Sequence, residues 1–595
     1  MSANNIRKEE KVLSRSKSQL IKRLLGYLKP YKRKSAIVIS LMILVMLCNL
    51  INPLLLGRAI DTYVADKNVN GLLIMGLFLC ACNLAAWGFS KIRYILVAEV
   101  SNKILVEIRH QLYTHIQGLS FNFFDSRPVG KILARIMGDV NALQNLFTQS
   151  IQSLIPELLT LVGISCFMLA LNVKLALGCL IILPFLIGAM FYIEVFSRRR
   201  WDAYRSKRSV MNAFTHEDFS GIKVVEAYAE EKQTAGNFKE IISELSSSFI
   251  HAVKLNDLFW PLVDISAGLG AVLVYMFGYR LVTSGEIQIG TLLAFSMYVG
   301  MFWNPIMNLC NFYNTLISNF SAADRIFDIL DVEPTIYSKT DAPSLSSIEG
   351  EVRFEQVSFA YDEKTEVLRN VNFMIKPGER IALVGPTGAG KTTIISLISR
   401  FYDPTEGRIL IDGHDIKEVE LGSLREQMGI MLQDTFLFSD TIMENIRYGK
   451  LDATDEEVIA AAKAVHAHDF IMRLEDGYQT KINERGSRLS LGQRQLLAFA
   501  RALLANPRIL ILDEATSNID TQTETLVEEG TKELLKGRTS FIIAHRLSTI
   551  RDCDKIMVIN DLNIAECGTH EELIAQKGLY YNLYKAQYRF LSEGA

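Results

Sequence analysis

Long apolar runs alternate with polar segments through the first half of the chain, whereas the second half mixes short apolar runs with glycines and charges. Six runs, near residues 36–57, 71–95, 148–171, 175–196, 259–282 and 289–317, have about the 20 apolar residues that a bilayer-crossing helix needs. Prolines interrupt two of them, in INPLLLG (Ile51–Gly57) and WNP (Trp303–Pro305). Both read as kinks rather than ends, because a membrane helix tolerates proline. Only NVK (Asn172–Lys174) joins the third and fourth runs, which makes them a tight hairpin. Long polar segments follow the second and fourth runs. In VEIRHQLYTHIQGL (Val106–Leu119) the apolar residues recur at helical spacing, so these spans continue as helices beyond the bilayer.

Lysine and arginine set the orientation. KPYKRK (Lys29–Lys34) precedes the first span and SRRRWDAYRSKR (Ser197–Arg208) follows the fourth. The opposite loop, DTYVADKNVN (Asp61–Asn70), carries one lysine and two aspartates. The positive-inside rule therefore puts both termini and both long polar segments in the cytosol. QLIKRLLGYLKPY (Gln19–Tyr31) reads as a basic amphipathic helix on the inner leaflet. The stretch before it has no apolar core, unlike a cleavable signal peptide, and Glu9 and Glu10 argue against a mitochondrial presequence.

At 595 residues the chain is too long for one core. Its net charge of -2 offers no basic field, so no nucleic-acid partner is expected. The eight cysteines include no CxxC pair and read as reduced thiols rather than metal ligands or disulfides.

The second half carries the chemistry. RIALVGPTGAGKTTII (Arg380–Ile395) is an apolar strand, a G-x-x-x-x-G-K-T loop and a helix. Such a loop wraps phosphates with its backbone N–H groups, here from Gly385, Thr387, Gly388, Ala389 and Gly390, with Thr393 beside them. Lys391 would reach the β- and γ-phosphate oxygens, and the Thr392 hydroxyl would ligate Mg²⁺. ILILDEATS (Ile509–Ser517) reads as a central parallel strand ending in two acids. Asp513 would hold the Mg²⁺, and Glu514 would polarise the attacking water. Between these motifs, RLSLGQRQ (Arg488–Gln495) opens a helix with Ser490 and Gly492, whose free N–H groups and partial positive charge suit an anion.

With both phosphate motifs and LSLGQ (Leu489–Gln493) in this order, the chain resembles ATP-binding cassette (ABC) transporters of the exporter type over nearly its whole length. The resemblance implies an α-helical six-span transmembrane domain fused to an α/β P-loop ATPase domain. Its expected parts are a cytosolic N-terminus with the interfacial helix (1–35), the transmembrane domain with its coupling segments (36–325), a linker (326–347) and the nucleotide-binding domain (348–595). It further implies that Tyr361 stacks on adenine, that Gln433 senses Mg²⁺ and touches the membrane domain, and that His545 contacts the γ-phosphate. Glu484 and Asp520 fit loops that couple the domains. Gln493 completes the signature with Ser490 and Gly492. FFDSRPVGKILARIMGDV (Phe123–Val140) and EDFSGIKVVEAYAEE (Glu217–Glu231) resemble the coupling-helix regions.

In this family each signature closes on ATP held by the other nucleotide domain. A chain with one of each is half a transporter, and its partner is a second half-transporter. Leu491 stands where the family commonly has glycine, while Lys391, Asp513, Glu514 and His545 are intact. That combination resembles the catalytically competent subunit of bacterial heterodimeric multidrug exporters; a homodimer tolerating Leu491 is the alternative.

The expected function is ATP-driven export of amphipathic drugs or lipids across the bacterial cytoplasmic membrane, using ATP and Mg²⁺. An importer on the same fold, for example for siderophores, a peptide exporter and a non-transporting regulator are the rival readings. Asp264 and Glu157 are acids within apolar runs, where ionisable groups usually face a cavity or a partner. With Trp260 and Trp303 they are the candidate substrate-cavity residues.

Overall fold

The computed structural model describes residues 16–180, 183–339, 341–362, 365–431, 435–483, 486, 489–513, 521–543 and 547–592. The chain divides into two compact units. One comprises the residues up to Gln117 with Val129–Asp331; the other comprises Gly118–Pro128 with the chain from Val332 onward.

The first unit is helical. Its helices are α1 (Lys17–Gly26), α2 (Lys32–Arg58) and α3 (Val69–Gln117), and then, after the short α4 (Phe121–Asp125) of the other unit, α5 (Val129–Ala134), α6 (Val140–Gln149), α7 (Ile155–Leu171) and α8 (Val173–Leu180). There follow α9 (Leu183–Ser220), α10 (Ile222–Ala227), α11 (Glu231–Asn256), α12 (Phe259–Thr283) and α13 (Ile289–Leu330). Among the described residues, Lys29–Val64, Val69–Gln117, Val129–Leu171, Glu231–Thr283 and Ile289–Leu309 are long and apolar enough to cross a membrane. The remaining expected span, 175–196, contains residues 181 and 182, which lie outside the described residues; α8 and α9 flank them.

Pro53 and Pro305 sit inside α2 and α13, so both prolines interrupt helices without ending them. The hairpin between α7 and α8 turns on Asn172 alone, which is extended and accepts at Oδ1 from Leu175 N at 3.1 Å. Single π-helical turns occur at Ala59–Val64, Arg135–Asp139 and Ser150–Leu154.

A core around Leu50, Ile164, Met168, Phe295, Tyr298 and Phe302 joins α2, α7 and α13. The Tyr298 hydroxyl donates to the Leu50 carbonyl, and Asp61 Oδ1 accepts from Gly290 N at 2.6 Å. Asp139, almost fully buried, accepts from Arg325 Nε at 2.9 Å and from Arg135 Nη1 at 3.0 Å, which compensates its charge. α1 divides its apolar residues between two faces: Leu20 and Leu24 are buried, and Ile21 and Leu25 are exposed. Arg23 ties α1 to Asp331 at 2.8 Å and lies 4.3 Å from the Phe327 ring centre, past the end of α13 and within its last turns. α9 and α11 pack on each other, with Phe214 stacked on Phe238 at 6.1 Å. Phe191 and Phe219 of α9 and Ile250 of α11 are exposed.

The second unit has two sheets. The first is antiparallel, in the order β2 (Thr365–Ile375), β1 (Val352–Asp362), β4 (Glu406–Ile411), β5 (His414–Asp415). The second runs β10 (Asn563–Gly568), β9 (Lys555–Asn560), β3 (Arg380–Val384), β8 (Thr539–Ile543), β7 (Ile509–Asp513), β6 (Met428–Met431). All its pairings are parallel except β9 with β10. Alternate residues of a strand point to opposite faces. Ile381, Leu383, Ile509 and Ile511 therefore enter one core, while Ala382, Val384, Leu510 and Leu512 enter another. Burial on both faces explains why these strands read as unbroken apolar runs.

The helices here are α14 (Lys391–Ile398), α15 (Leu421–Glu426), α16 (Ile442–Arg447), α17 (Asp455–Ala464), α18 (His468–Met472), α19 (Leu491–Ala505), α20 (Thr521–Leu535), α21 (Leu547–Arg551), α22 (His570–Gln576) and α23 (Leu579–Ser592).

Candidate nucleotide site

β3 delivers the chain into the glycine loop at the end of the parallel sheet, and α14 leaves it. Gly385 has φ +150°, and a Cβ there would fall 2.4 Å from the Ile559 carbonyl oxygen. Gly390, the residue before α14, has φ +107°, a conformation that L side chains rarely adopt. These two glycines let the loop close tightly and leave the first-turn N–H groups of α14 pointing out of the helix end.

Lys391 opens α14. Its Nζ donates to the carbonyls of Gly385 and Pro386 at 2.8 and 2.9 Å, so the ammonium lies folded over the loop. Burial holds its pKa below the usual lysine value, and the Asp513 carboxylate partly opposes that shift. Asp513 ends β7 in register with Ile543 of β8. A partly desolvated cation, a helix N-terminus and a carboxylate at the end of β7, two strands away in the sheet, form a donor set that fits a polyphosphate with a divalent cation. Thr392 is exposed beside Lys391. Thr392 and Asp513 are the described residues that could hold Mg²⁺.

The structure gives Thr393 a different place from Thr392. It is buried, and its Oγ1 lies 3.1 Å from the Tyr361 hydroxyl. Its side chain thus ties the loop helix to the aromatic expected at the base. Tyr361 is 42% exposed, which leaves ring surface for a flat base. It meets Phe359 and Tyr402 edge to face, at 4.8 and 5.1 Å between ring centres.

Ser490 caps α19. Its Oγ accepts from Gln493 N at 3.2 Å, and Gln493 Oε1 accepts from Ser490 N at 2.9 Å. This reciprocal box fixes the helix start. It uses the serine oxygen only as an acceptor, so the hydroxyl proton stays available for an anion. Gln493 is engaged with its own helix through Oε1. Leu491 is half-buried and Gly492 buried.

Gln433, Glu484, Glu514, Asp520 and His545 lie outside the described residues. Of the candidate cavity residues, Asp264 and Trp260 are exposed on α12, and Glu157 accepts from Asn308 Nδ2 at 2.6 Å. Trp303 departs from expectation. It is 4% exposed, packs edge to face on Phe302 and fills the core between helices, so it lines no open surface.

Sequence reasoning missed a junction beside the nucleotide loop. Arg400, only 3% exposed, donates to the carbonyls of Tyr337, Lys417 and Val419 and to Asp403. Phe401 stacks on Phe121 at 5.2 Å, and the Tyr402 hydroxyl bonds Asp125. The clue lay in RFYD (Arg400–Asp403), an arginine–aspartate pair flanking two aromatics just after the loop helix.

Residues 35–306 match the family model described as ABC transporter transmembrane region, and residues 368–517 match the one described as ABC transporter. The uncharacterized ABC transporter ATP-binding protein YknV of Bacillus subtilis (strain 168) is 43% identical over 574 residues, covering 95% of this chain and 94% of that protein. The chain belongs to the ABC transporter family.

This ABC transporter is 36% identical over 592 residues to the ATP-dependent lipid A-core flippase of Syntrophus aciditrophicus (strain SB), covering 99% of this chain and 98% of that protein. It is 39% identical over 577 residues to a candidate multidrug export ATP-binding/permease protein of Staphylococcus aureus (strain NCTC 8325 / PS 47), covering 96% and 100%. Among solved structures, a bacterial Atm1-family ABC exporter with ATP bound superposes with a TM-score of 0.77 at 28% identity, covering 96% of this chain and 99% of that one. The ABC transporter is thus an exporter-type half-transporter: one helical membrane region and one ATPase region on a single chain. It is an integral membrane protein that binds ATP and couples its hydrolysis to transport, on a fold that works as a dimer.

Proposed function

We propose that this chain is the catalytically competent half of a heterodimeric exporter, which uses ATP and Mg²⁺ to move amphipathic drugs or lipids across a bacterial cytoplasmic membrane. Its termini and ATPase unit are then cytosolic. The observation that carries this reading is the split between two anion sites on one chain. The loop at Lys391 is built to hold a triphosphate, whereas Ser490 keeps a hydroxyl proton for an anion while its oxygen caps α19. A chain with a holder and a donor needs a second chain if the donor is to close on another molecule's nucleotide. The exposed aromatic and aliphatic residues on α9 and α11 supply apolar surface for that partner.

ATP brings the phosphoryl group, and a bound Mg²⁺ would spread the charge on its oxygens. Lys391 would neutralise the β- and γ-oxygens, Thr392, Gln433 and Asp513 would hold the metal, and Glu514 would orient water. His545 contacts the γ-phosphate, and the partner's signature completes the cage. Glu484 and Asp520 couple the ATPase units to the spans. Leu491 puts a side chain where this chain's signature meets the partner's nucleotide, so that second site is the weak one.

For the substrate, support comes from relatives named for lipid A-core flipping and multidrug export, and from Asp264 and Trp260, an acid and an aromatic exposed on one apolar helix. Accumulation of a cationic dye such as Hoechst 33342 in inside-out vesicles tests the reading. ATP-dependent uptake that disappears in Glu514→Gln supports export. ATP-driven dye movement in the opposite direction would refute it.

A further inference from the structure

Arg93 is a buried cation that the transport chemistry leaves unused. It lies on α3 near the end of the apolar run 71–95 and is only 7% exposed. The buried residues of α3 continue from it through Val97, Val100 and Ile104, so Arg93 occupies one position of an otherwise apolar seam. One turn on, Val97 packs with Val38 and Met42 of α2 and with Ile155 of α7. α2 carries no acid. Glu157, the acid of α7, accepts from Asn308 instead. Among the described residues, Arg93 Nε is buried without a hydrogen-bond partner, and no carboxylate pairs with the guanidinium. Cζ lies 4.8 Å from the ring centre of Tyr94. A ring face attracts the charge but leaves most of the five N–H donors unused.

Neighbouring charges show how deep this cation sits. Lys34, at the start of α2, donates to Glu99 at 2.6 Å, and Lys103 donates to the same carboxylate at 2.8 Å. These groups mark the polar boundary of the membrane unit. Arg93 lies six residues along α3 from Glu99, about 9 Å toward the apolar side at 1.5 Å per residue. Trp87 and Tyr94, both exposed on α3, are residue types that gather at headgroup level. Ile92 and Ile95 are exposed beside them, a surface suited to acyl chains. An ionised side chain at this depth is costly, and it signals a partner. The planar guanidinium fork matches the paired oxygens of a phosphate.

We propose that Arg93 holds the phosphodiester of a resident anionic phospholipid, such as phosphatidylglycerol, at the seam between α2, α3 and α7. Charge selects the class: a zwitterionic headgroup balances its phosphate with its own ammonium, whereas an anionic one leaves a charge for Arg93. Asp264 and Glu157, the candidate substrate acids, have the opposite sign, so this lipid is distinct from a cationic cargo. On the cytosolic orientation proposed above, the site faces the inner leaflet; the site itself needs only the boundary that Lys34 and Glu99 mark.

The test uses the full chain in nanodiscs of phosphatidylcholine, with and without an equal share of phosphatidylglycerol. Native mass spectrometry reads the phospholipid that the particle retains, and calorimetry reads its unfolding. The wild type should retain about one phosphatidylglycerol per chain and unfold about 3 °C higher or more in the mixed discs, because a ligand bound only to the native state stabilises it. Arg93→Met takes an unpaired charge out of an apolar seam, so it should fold at least as well as wild type in pure phosphatidylcholine. It should lose both the retained lipid and the shift. Lys91→Gln removes an exposed cation on the same helix and should keep both, which separates Arg93 from general surface charge. Retention and shift in Arg93→Met equal to wild type, or the absence of both in wild type, overturn the proposal. Depletion of the retained lipid on adding ATP and Mg²⁺, abolished by Glu514→Gln, would make it cargo and overturn its resident role. None of these readings uses the direction of transport, so the export reading stands or falls separately.

Discussion

The Tyr361 hydroxyl lies 3.1 Å from Thr393 Oγ1, which joins the aromatic beside the candidate base site to the helix that opens at Lys391. The ring, not the hydroxyl, is the surface left for nucleotide. Tyr361→Phe should therefore leave the KM for ATP within about twofold. Tyr361→Ala should raise it by about three- to tenfold, since an aromatic pair contributes roughly 0.5–1.5 kcal/mol. Steady-state ATPase assays on the three proteins check this, with kcat expected within about threefold throughout.

Lys391 gives a pH signature. Burial lowers its pKa from the usual 10.5, so the free site loses the ammonium charge at a lower pH than an ordinary lysine does. A bound triphosphate favours the charged form, so its binding takes up a proton in the alkaline range. Affinity should be full below the depressed pKa and fall as pH rises through it. TNP-ATP titrations from neutral pH upward should show that fall in the wild type. Lys391→Arg should give a flat profile, because a guanidinium stays charged.

Ser490 has two duties that substitution can separate. Ser490→Asp keeps a good cap for α19 but puts a negative charge where an anion is expected. Thermal stability should stay within about 0.5 kcal/mol, while the ATPase rate of a two-copy Leu491→Gly particle, whose sites are both closed by this signature, falls by about a hundredfold or more. Ser490→Ala should lose about 1 kcal/mol of stability as the cap goes. Calorimetry and ATPase assays on the same preparations distinguish the two.

Arg400 bears on stability more than chemistry. It is buried with four acceptors, and Arg400→Leu would strand the carbonyls of Tyr337, Lys417 and Val419 and leave Asp403 without its partner. The expected cost is about 3 kcal/mol, read as a drop of several degrees in the unfolding of the full chain.

Much of this was legible in the sequence because the forces involved are periodic or local. The spans show as apolar runs because lipid and helix neighbours both demand apolar side chains. β3 and β7 show as short apolar runs because both their faces are buried. The glycine loop shows because Gly385 and Gly390 adopt backbone shapes that few other residues can. The rest depends on what meets across long separations. Nothing in a single sequence pairs Asp125 with Tyr402, or Asp139 with Arg325. Nor does spacing tell that Thr393, next to the exposed Thr392, is buried with its hydroxyl against that of Tyr361. Trp303 has the composition of a cavity wall and the burial of a core residue. The π-helical turns at Ala59–Val64, Arg135–Asp139 and Ser150–Leu154 leave no mark in the pattern of apolar residues.

The most direct measurement is the particle mass and ATPase rate of this chain purified alone in nanodiscs, beside Leu491→Gly, with Glu514→Gln as the inactive control. If the chain is the competent half of an asymmetric pair, it should be monomeric or nearly inactive on its own. Any two-copy particle should then gain about tenfold in ATPase rate when Leu491 becomes glycine. A two-copy wild-type particle with vigorous ATPase activity, lost in Glu514→Gln and unchanged by Leu491→Gly, would instead make it a working homodimer and contradict the asymmetric assignment.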